Sequence, residues 1–332
     1  MTNSSHPAGL SRIGEPALTV RLFGWAILSI LFGFLVNNVL VVGYGFPGLS
    51  GLLSGATTAQ TWVHAAIYGA CLAVAAVYVL GTRNRALRWD ARGIHNFNVY
   101  LIRALFWSVL LVGVVDVIIA FLRVENLLTV FIDDQTALSF GLARWVGPYI
   151  HMPLVVAAFV IALFTRTLGF PWLALLIVAA ELAIVISRFV FSYEQAMMGD
   201  LVRYWYAALF LFASAYTLFD DGHVRVDVLY AGFGPTRRGF INAIGSIMLG
   251  MTTCWVILAV GLGGKQSIIN SPVANFEISQ AGGNGMFVKY QMATFLALFA
   301  ITMLIQFVSY FLEAVADMRD EPGHREPAPA AH

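Results

Sequence analysis

Long apolar runs recur along this chain, at residues 22–42, 63–80, 101–122, 151–164, 170–190, 201–218, 240–262 and 290–312. A helix needs about 20 apolar residues to cross the hydrocarbon core of a bilayer. The run at 151–164 is short unless it extends back through Trp145. Strands of a membrane barrel show about ten residues of alternating polarity, not unbroken runs of twice that length. In lipid every backbone N–H and C=O needs a partner, and a helix supplies these within itself. The expected fold is all-α: a polytopic membrane helical bundle of about eight transmembrane helices.

Composition supports that reading and removes other classes. Hydrophobic types make up 59% of the 332 residues and charged types 11%, too few charges to cover a soluble domain of this size. The net charge of +1 leaves no basic excess for nucleic acid, so no nucleic-acid partner is expected, and a chain this apolar is surrounded by membrane lipids. Cys71 and Cys254 lie in apolar runs and read as small core side chains rather than a disulfide framework. Ser-x-x-Lys, His-Glu-x-x-His, Gly-x-Ser-x-Gly and Walker A patterns are absent, so no enzyme activity, metal site or cofactor is expected. The first run is too long for the core of a cleaved signal and reads as a retained span.

Loop charges set the expected topology. With both termini cytoplasmic, the inner segments and adjoining helix ends hold thirteen Arg, including Arg83, Arg85 and Arg88. The outer side holds six positive residues: Arg123, Arg144, Arg188, Arg203, Lys265 and Lys289. The Thr-Arg-Thr-Leu-Gly stretch at 165–169, with Pro171 behind it, predicts a tight helical hairpin. The outer connections 127–145 and 193–203 mix apolar and charged residues at roughly helical spacing and read as interfacial segments or ordered loops. The segment 317–332, rich in Pro, Glu, His and Ala, is expected to be disordered. Three regions follow: an N-terminal four-span region at 1–164, a second four-span region at 165–316, and a tail at 317–332.

Asp116 and Glu181 are the acids well inside apolar runs. Intramembrane carboxylates are costly and face protein or water. They are candidates for binding sodium, carrying protons or holding a basic substrate; the structural alternative is a buried polar pin. Asp116, near the outer end of its span, is expected to reach water. Glu181 and Arg188 are seven apart and share a helical face. Arg188 and Arg203 oppose the inside bias, so Glu194, Asp200 or an acidic partner surface is expected to compensate them. His64 and His151 sit near outer span ends, as hydrogen-bonded interfacial imidazoles or, alternatively, as haem ligands.

The most distinctive segment is Gly222-His-Val-Arg-Val-Asp227, followed by Val228-Leu229-Tyr230 and Pro235-Thr-Arg-Arg238. It resembles the cytoplasmic loop of the small membrane subunit (DctQ-like) of TRAP transporters, the tripartite ATP-independent periplasmic family. In the same order, Glu181 with Ile186-Ser-Arg188-Phe-Val-Phe191 resembles the end of that subunit's first span. Ala213-Ser-Ala-Tyr216-Thr-Leu218 with His223 resembles the end of the second. Asn275-Phe-Glu277-Ile-Ser279, Gly282-Gly283 and Lys289 resemble the outer loop before the fourth. The combination is most similar to the mannitol/chloroaromatic-type subfamily. It departs from the pattern at Ala281 and Asn284-Gly285, and in the four spans that precede it.

The resemblance implies a non-catalytic subunit in the bacterial inner membrane, within a sodium-driven importer of organic acids. A large multi-span subunit would carry substrate and sodium, and a periplasmic binding protein would deliver the substrate. The small subunit would scaffold the former and help dock the latter. His223, Arg225, Asp227, Arg237 and Arg238 then become a fold-stabilising loop network, and Glu277 an outer-loop interface residue. Gly245, Ser246 and Gly250, with Ala207, Ala208, Ala213 and Ala215, allow close helix approach, to a partner or within the bundle. The competing readings are a self-sufficient secondary transporter with Asp116 and Glu181 as its ion site, and a haem or quinone anchor.

Overall fold

The computed structural model describes residues 11–49, 55, 58–166, 169–219 and 230–324. Its long helices are α1 (Leu18–Tyr44), α2 (Ala59–Gly81), α3 (Leu87–Val124), α4 (Ala143–Phe164), α5 (Phe170–Phe191), α6 (Ala196–Phe219), α7 (Pro235–Gly261) and α8 (Lys289–Met318). Among the described residues, all of these except α6 are long and apolar enough to cross a membrane, which makes seven. The sixth expected span is thus a 24-residue helix, but a less apolar one: it carries Asp200, Arg203, Tyr204, Trp205, Tyr206 and Tyr216.

Local chemistry sets the helix ends. Thr58 caps α2 by accepting the Thr61 N–H, while the Thr61 hydroxyl accepts the Thr58 N–H at 2.9 Å. Gly45, at φ 73°, closes α1 by returning its N–H to the Leu40 carbonyl. Gly169 at φ 81° and Pro171 in the first turn start α5; residues 167–168 of the expected hairpin lie outside the described residues. The run at 151–164 does extend back past Trp145, through a π turn at Gly147–His151. Between α3 and α4 lie two short helices, Leu128–Phe131 and Asp134–Phe140, the second capped by the Asp133 carboxylate.

The chain divides into two compact units. One comprises Met1–Asn98, Ala215–Ala259 and Met303–His332; the other comprises Val99–Ser214 and Val260–Thr302. Each draws residues from both sides of 164/165.

The first unit is held by buried polar contacts. Arg21 is fully enclosed: its Nε donates to Asp90 Oδ2 at 2.7 Å and its Nη1 to the Thr82 carbonyl at 2.5 Å. Trp25 Nε1 donates to the same Asp90 oxygen at 3.0 Å. Between α3 and α8 runs a polar seam. Arg88 donates to Glu313 and Asp317, each at 2.7 Å, and to the Glu321 carbonyl at 3.1 Å. The Ser309 hydroxyl donates to the Ala91 carbonyl at 2.8 Å, and His95 Nδ1 meets Gln306 Oε1 at 3.0 Å. The α3 positions 88, 91, 95 and 98 repeat at the 3–4 spacing that keeps one face against a neighbouring helix.

That seam corrects the tail expectation. Asp317 is helical and paired with Arg88, and His324 Nδ1 lies 2.8 Å from Asp317 Oδ1. Arg319 reaches Glu15 at 3.3 Å. Ordered structure therefore continues through 324, because the carboxylates and carbonyls there satisfy buried guanidinium donors. The remainder of the tail lies outside the described residues.

Candidate functional site

In the second unit, the connection between α7 and α8 is fastened from below by side chains of α3, α4 and α6. Asp116 on α3 is completely buried, not open to water as expected from its position. Its Oδ2 accepts the Phe287 N–H at 2.7 Å. Its Oδ1 lies 3.2 Å from His151 Nε2 on α4. His151 Nδ1 meets the Tyr290 hydroxyl at 2.9 Å, and that oxygen accepts from Gln291 Nε2 at 3.1 Å. Tyr204 on α6 donates to Gln291 Oε1 and closes the chain of contacts.

Two further side chains hold the same connection. Arg123 donates to the carbonyls of Gly283 (2.7 Å) and Gly285 (2.6 Å) and lies 4.0 Å over the Phe287 ring. Asp200 accepts the Met286 N–H at 3.1 Å. Residues 283–287 are thus fixed by two carboxylates and one guanidinium. Hydrogen bonds to charged groups are worth about 1.5–3 kcal/mol each. Each of these three charges is directed at the backbone of the connection.

The expected compensation of the outer arginines is local. Arg188 Nε lies 3.2 Å from Glu194 Oε2, and Arg203 Nη1 lies 3.5 Å from Asp200 Oδ1. Glu277 receives Lys289 Nζ at 2.5 Å. The Tyr193 hydroxyl donates to Glu125 Oε1 at 2.6 Å; burial and then that carboxylate push the phenol up to about 12. Arg237 is exposed, and Arg238 lies 5.5 Å over the Tyr230 ring. Asn242 donates to the Tyr230 hydroxyl at 2.8 Å. His223, Arg225 and Asp227 lie outside the described residues.

Glu181 departs from the buried-pin expectation. It stands at mid-length of α5, eleven residues from Phe170, yet it is exposed, and Arg188 pairs with Glu194 instead. Among the described residues no hydrogen bond or ion pair reaches it. An acid at the centre of a membrane helix costs about 2.5–3.5 kcal/mol on insertion scales. Asp116 and Glu181 therefore do not converge: one is sealed on backbone, the other faces outward.

Sequence reasoning missed the Arg88–Glu313–Asp317 cluster and the Arg21–Asp90 pair, because both arginines read as loop charges. The 88/91/95/98 spacing is the signal that would have found the first. His64 and His151 are both buried. His64 Nδ1 is 2.7 Å from Asn37 Oδ1, which accounts for the hydrogen-bonded reading. Gly250 packs internally, since a Cβ there would strike the Phe307 ring at 2.5 Å.

Fold and site together define a polytopic α-helical membrane protein in which Asp116, Arg123 and Asp200 hold the backbone of 283–287. Residues 175–317, from α5 to the end of the α8 seam, match the family model of the tripartite ATP-independent periplasmic transporters, DctQ component. The DctQ component is a small, non-catalytic membrane subunit, and among the described residues no group of three or more His, Cys, Asp or Glu is placed to hold a metal ion. No curated protein and no solved structure matches the chain.

Proposed function

We propose that this chain is the small, scaffold-type subunit of a sodium-driven TRAP transporter that imports organic acids into a bacterial cell. In this reading the region 165–316 carries the small-permease role, preceded by four spans at 1–164, with both termini cytoplasmic. Its helices brace a large multi-span subunit, which carries substrate and sodium, and the 275–291 connection offers a fixed surface to a periplasmic binding protein. The subfamily is the mannitol/chloroaromatic type.

The observation that carries this reading is the DctQ match over 175–317, joined to a site whose charges end on backbone and on one another. A platform of this kind positions a partner without moving an ion. A self-sufficient transporter is less well supported, since such sites form where broken helices bring polar groups together at mid-membrane. Here Asp116 is sealed and Glu181 faces away from the unit. The test is affinity purification from membranes that also express the large subunit. The proposal expects a stable two-subunit complex and no sodium-driven uptake by this chain alone in liposomes. Uptake by the purified chain alone would overturn it.

A further inference from the structure

The helix α5 is packed along only half its length. Leu173 and Ile177 are its buried residues, and the ring of Phe170 stands 4.5 Å from that of Phe106. From Val178 to Phe191 no residue is buried. The inward stripe itself does not stop there: Leu173 and Ile177 continue at steps of four, three and four through Glu181, Ile184 and Arg188. The face that is covered in the first half is therefore uncovered in the second, and its first uncovered position is a carboxylate. The far end is fastened again, where Tyr193 binds Glu125.

We propose that the Glu181–Ile184–Arg188 face of α5 is the seat of one transmembrane helix of the large subunit, and that this helix presents a cation or hydrogen-bond donor to Glu181 at mid-membrane depth. The proposal rests on the small-subunit reading above and specifies its contact. Three observations select the occupant. A lipid tail offers no partner to a carboxylate about 16 Å from the helix start. Arg188 on the same stripe is already neutralised by Glu194, so the unmet charge is negative and asks for a positive or donating group. The covered half of the stripe is apolar, and the uncovered half carries two charged residues, Glu181 and Arg188, on either side of Ile184.

The test uses the full chain with an affinity tag, co-expressed with the large subunit, in wild-type, Glu181→Gln and Glu181→Leu forms. A photo-crosslinking residue at Ala180 is read separately. Wild type retains the large subunit and its crosslink falls on that subunit. Glu181→Leu lowers the retained large subunit at least about tenfold, ~1.4 kcal/mol, while the isolated variant stays monodisperse with unchanged or raised thermal stability. Glu181→Gln, which keeps a polar group without the charge, retains an intermediate amount. Equal retention by all three forms, or crosslinks confined to lipid or to a second copy of this chain, overturns the contact and leaves the subunit reading standing. Failure of the wild type to retain any multi-span companion overturns both.

Discussion

Replacing Arg88 with methionine tests the seam between α3 and α8. The guanidinium side chain is 3% exposed and donates to two carboxylates and a carbonyl. Removing one partner of a buried ion pair costs about 3–5 kcal/mol, because the other partner is left without compensation. Glu313 and Asp317 keep 23% and 19% exposure, so water relieves part of that penalty and the lower end applies, about 3 kcal/mol. For a chain of this size about 2 °C per kcal/mol is appropriate, giving a fall in Tm of about 6 °C. The assay is thermal unfolding in detergent, followed by labelling of Cys254, which is 3% exposed in the fold, in a Cys71→Ala background. Arg88→Lys should recover part of the loss, since one ammonium cannot span both carboxylates and the Glu321 carbonyl. A change below about 1 °C for Arg88→Met would refute the reasoning, and so would an equal loss from the double variant Arg88→Met/Glu313→Gln, in which one orphaned charge is gone.

Three other outcomes are expected. Asp116→Asn weakens the hold on Phe287 and His151 by about 1–3 kcal/mol, and amide exchange at 283–291 should quicken; unchanged exchange would place the restraint elsewhere. Glu194→Ala removes an exposed partner of Arg188 and should shift stability by no more than about 1 kcal/mol, so a large fall in Tm would show that the pair is not the surface contact described. The Asp133 carboxylate is held below its ordinary range, chiefly by the Thr136 backbone N–H. Its capping contribution is therefore complete above the unfolded carboxylate value and lost as pH falls through the lower folded one. Exchange in 134–140 should stay slow down to the ordinary Asp range and quicken only below it; quickening between pH 7 and 5 would contradict that assignment.

Seven of the eight expected spans were legible because lipid imposes one rule, a long apolar helix; the sixth, α6, carries Asp200 and Arg203 and is too polar to meet it. Pro171 and Gly169 marked the start of α5 for equally local reasons. The pairing of Arg188 with Glu194 was legible too, since Arg188 stands in the last turn of α5 and Glu194 in the connection that follows it. Contacts far apart in sequence were not. Arg88 is separated from Asp317 by 229 positions, and a charge at a helix end reads the same whether it meets water or a distant carboxylate. Asp116 and Glu181 show the same limit from opposite directions. Each is an acid in an apolar run, and only packing decides that one is sealed by Phe287 and His151 while the other stands uncovered.

The most direct test of the account is sodium-gradient uptake in proteoliposomes that contain the large subunit and binding protein, with and without this chain. The account predicts that this chain carries no uptake alone and that its omission abolishes or sharply reduces uptake by the others. Full uptake without it, or uptake by it without the large subunit, would contradict the assignment.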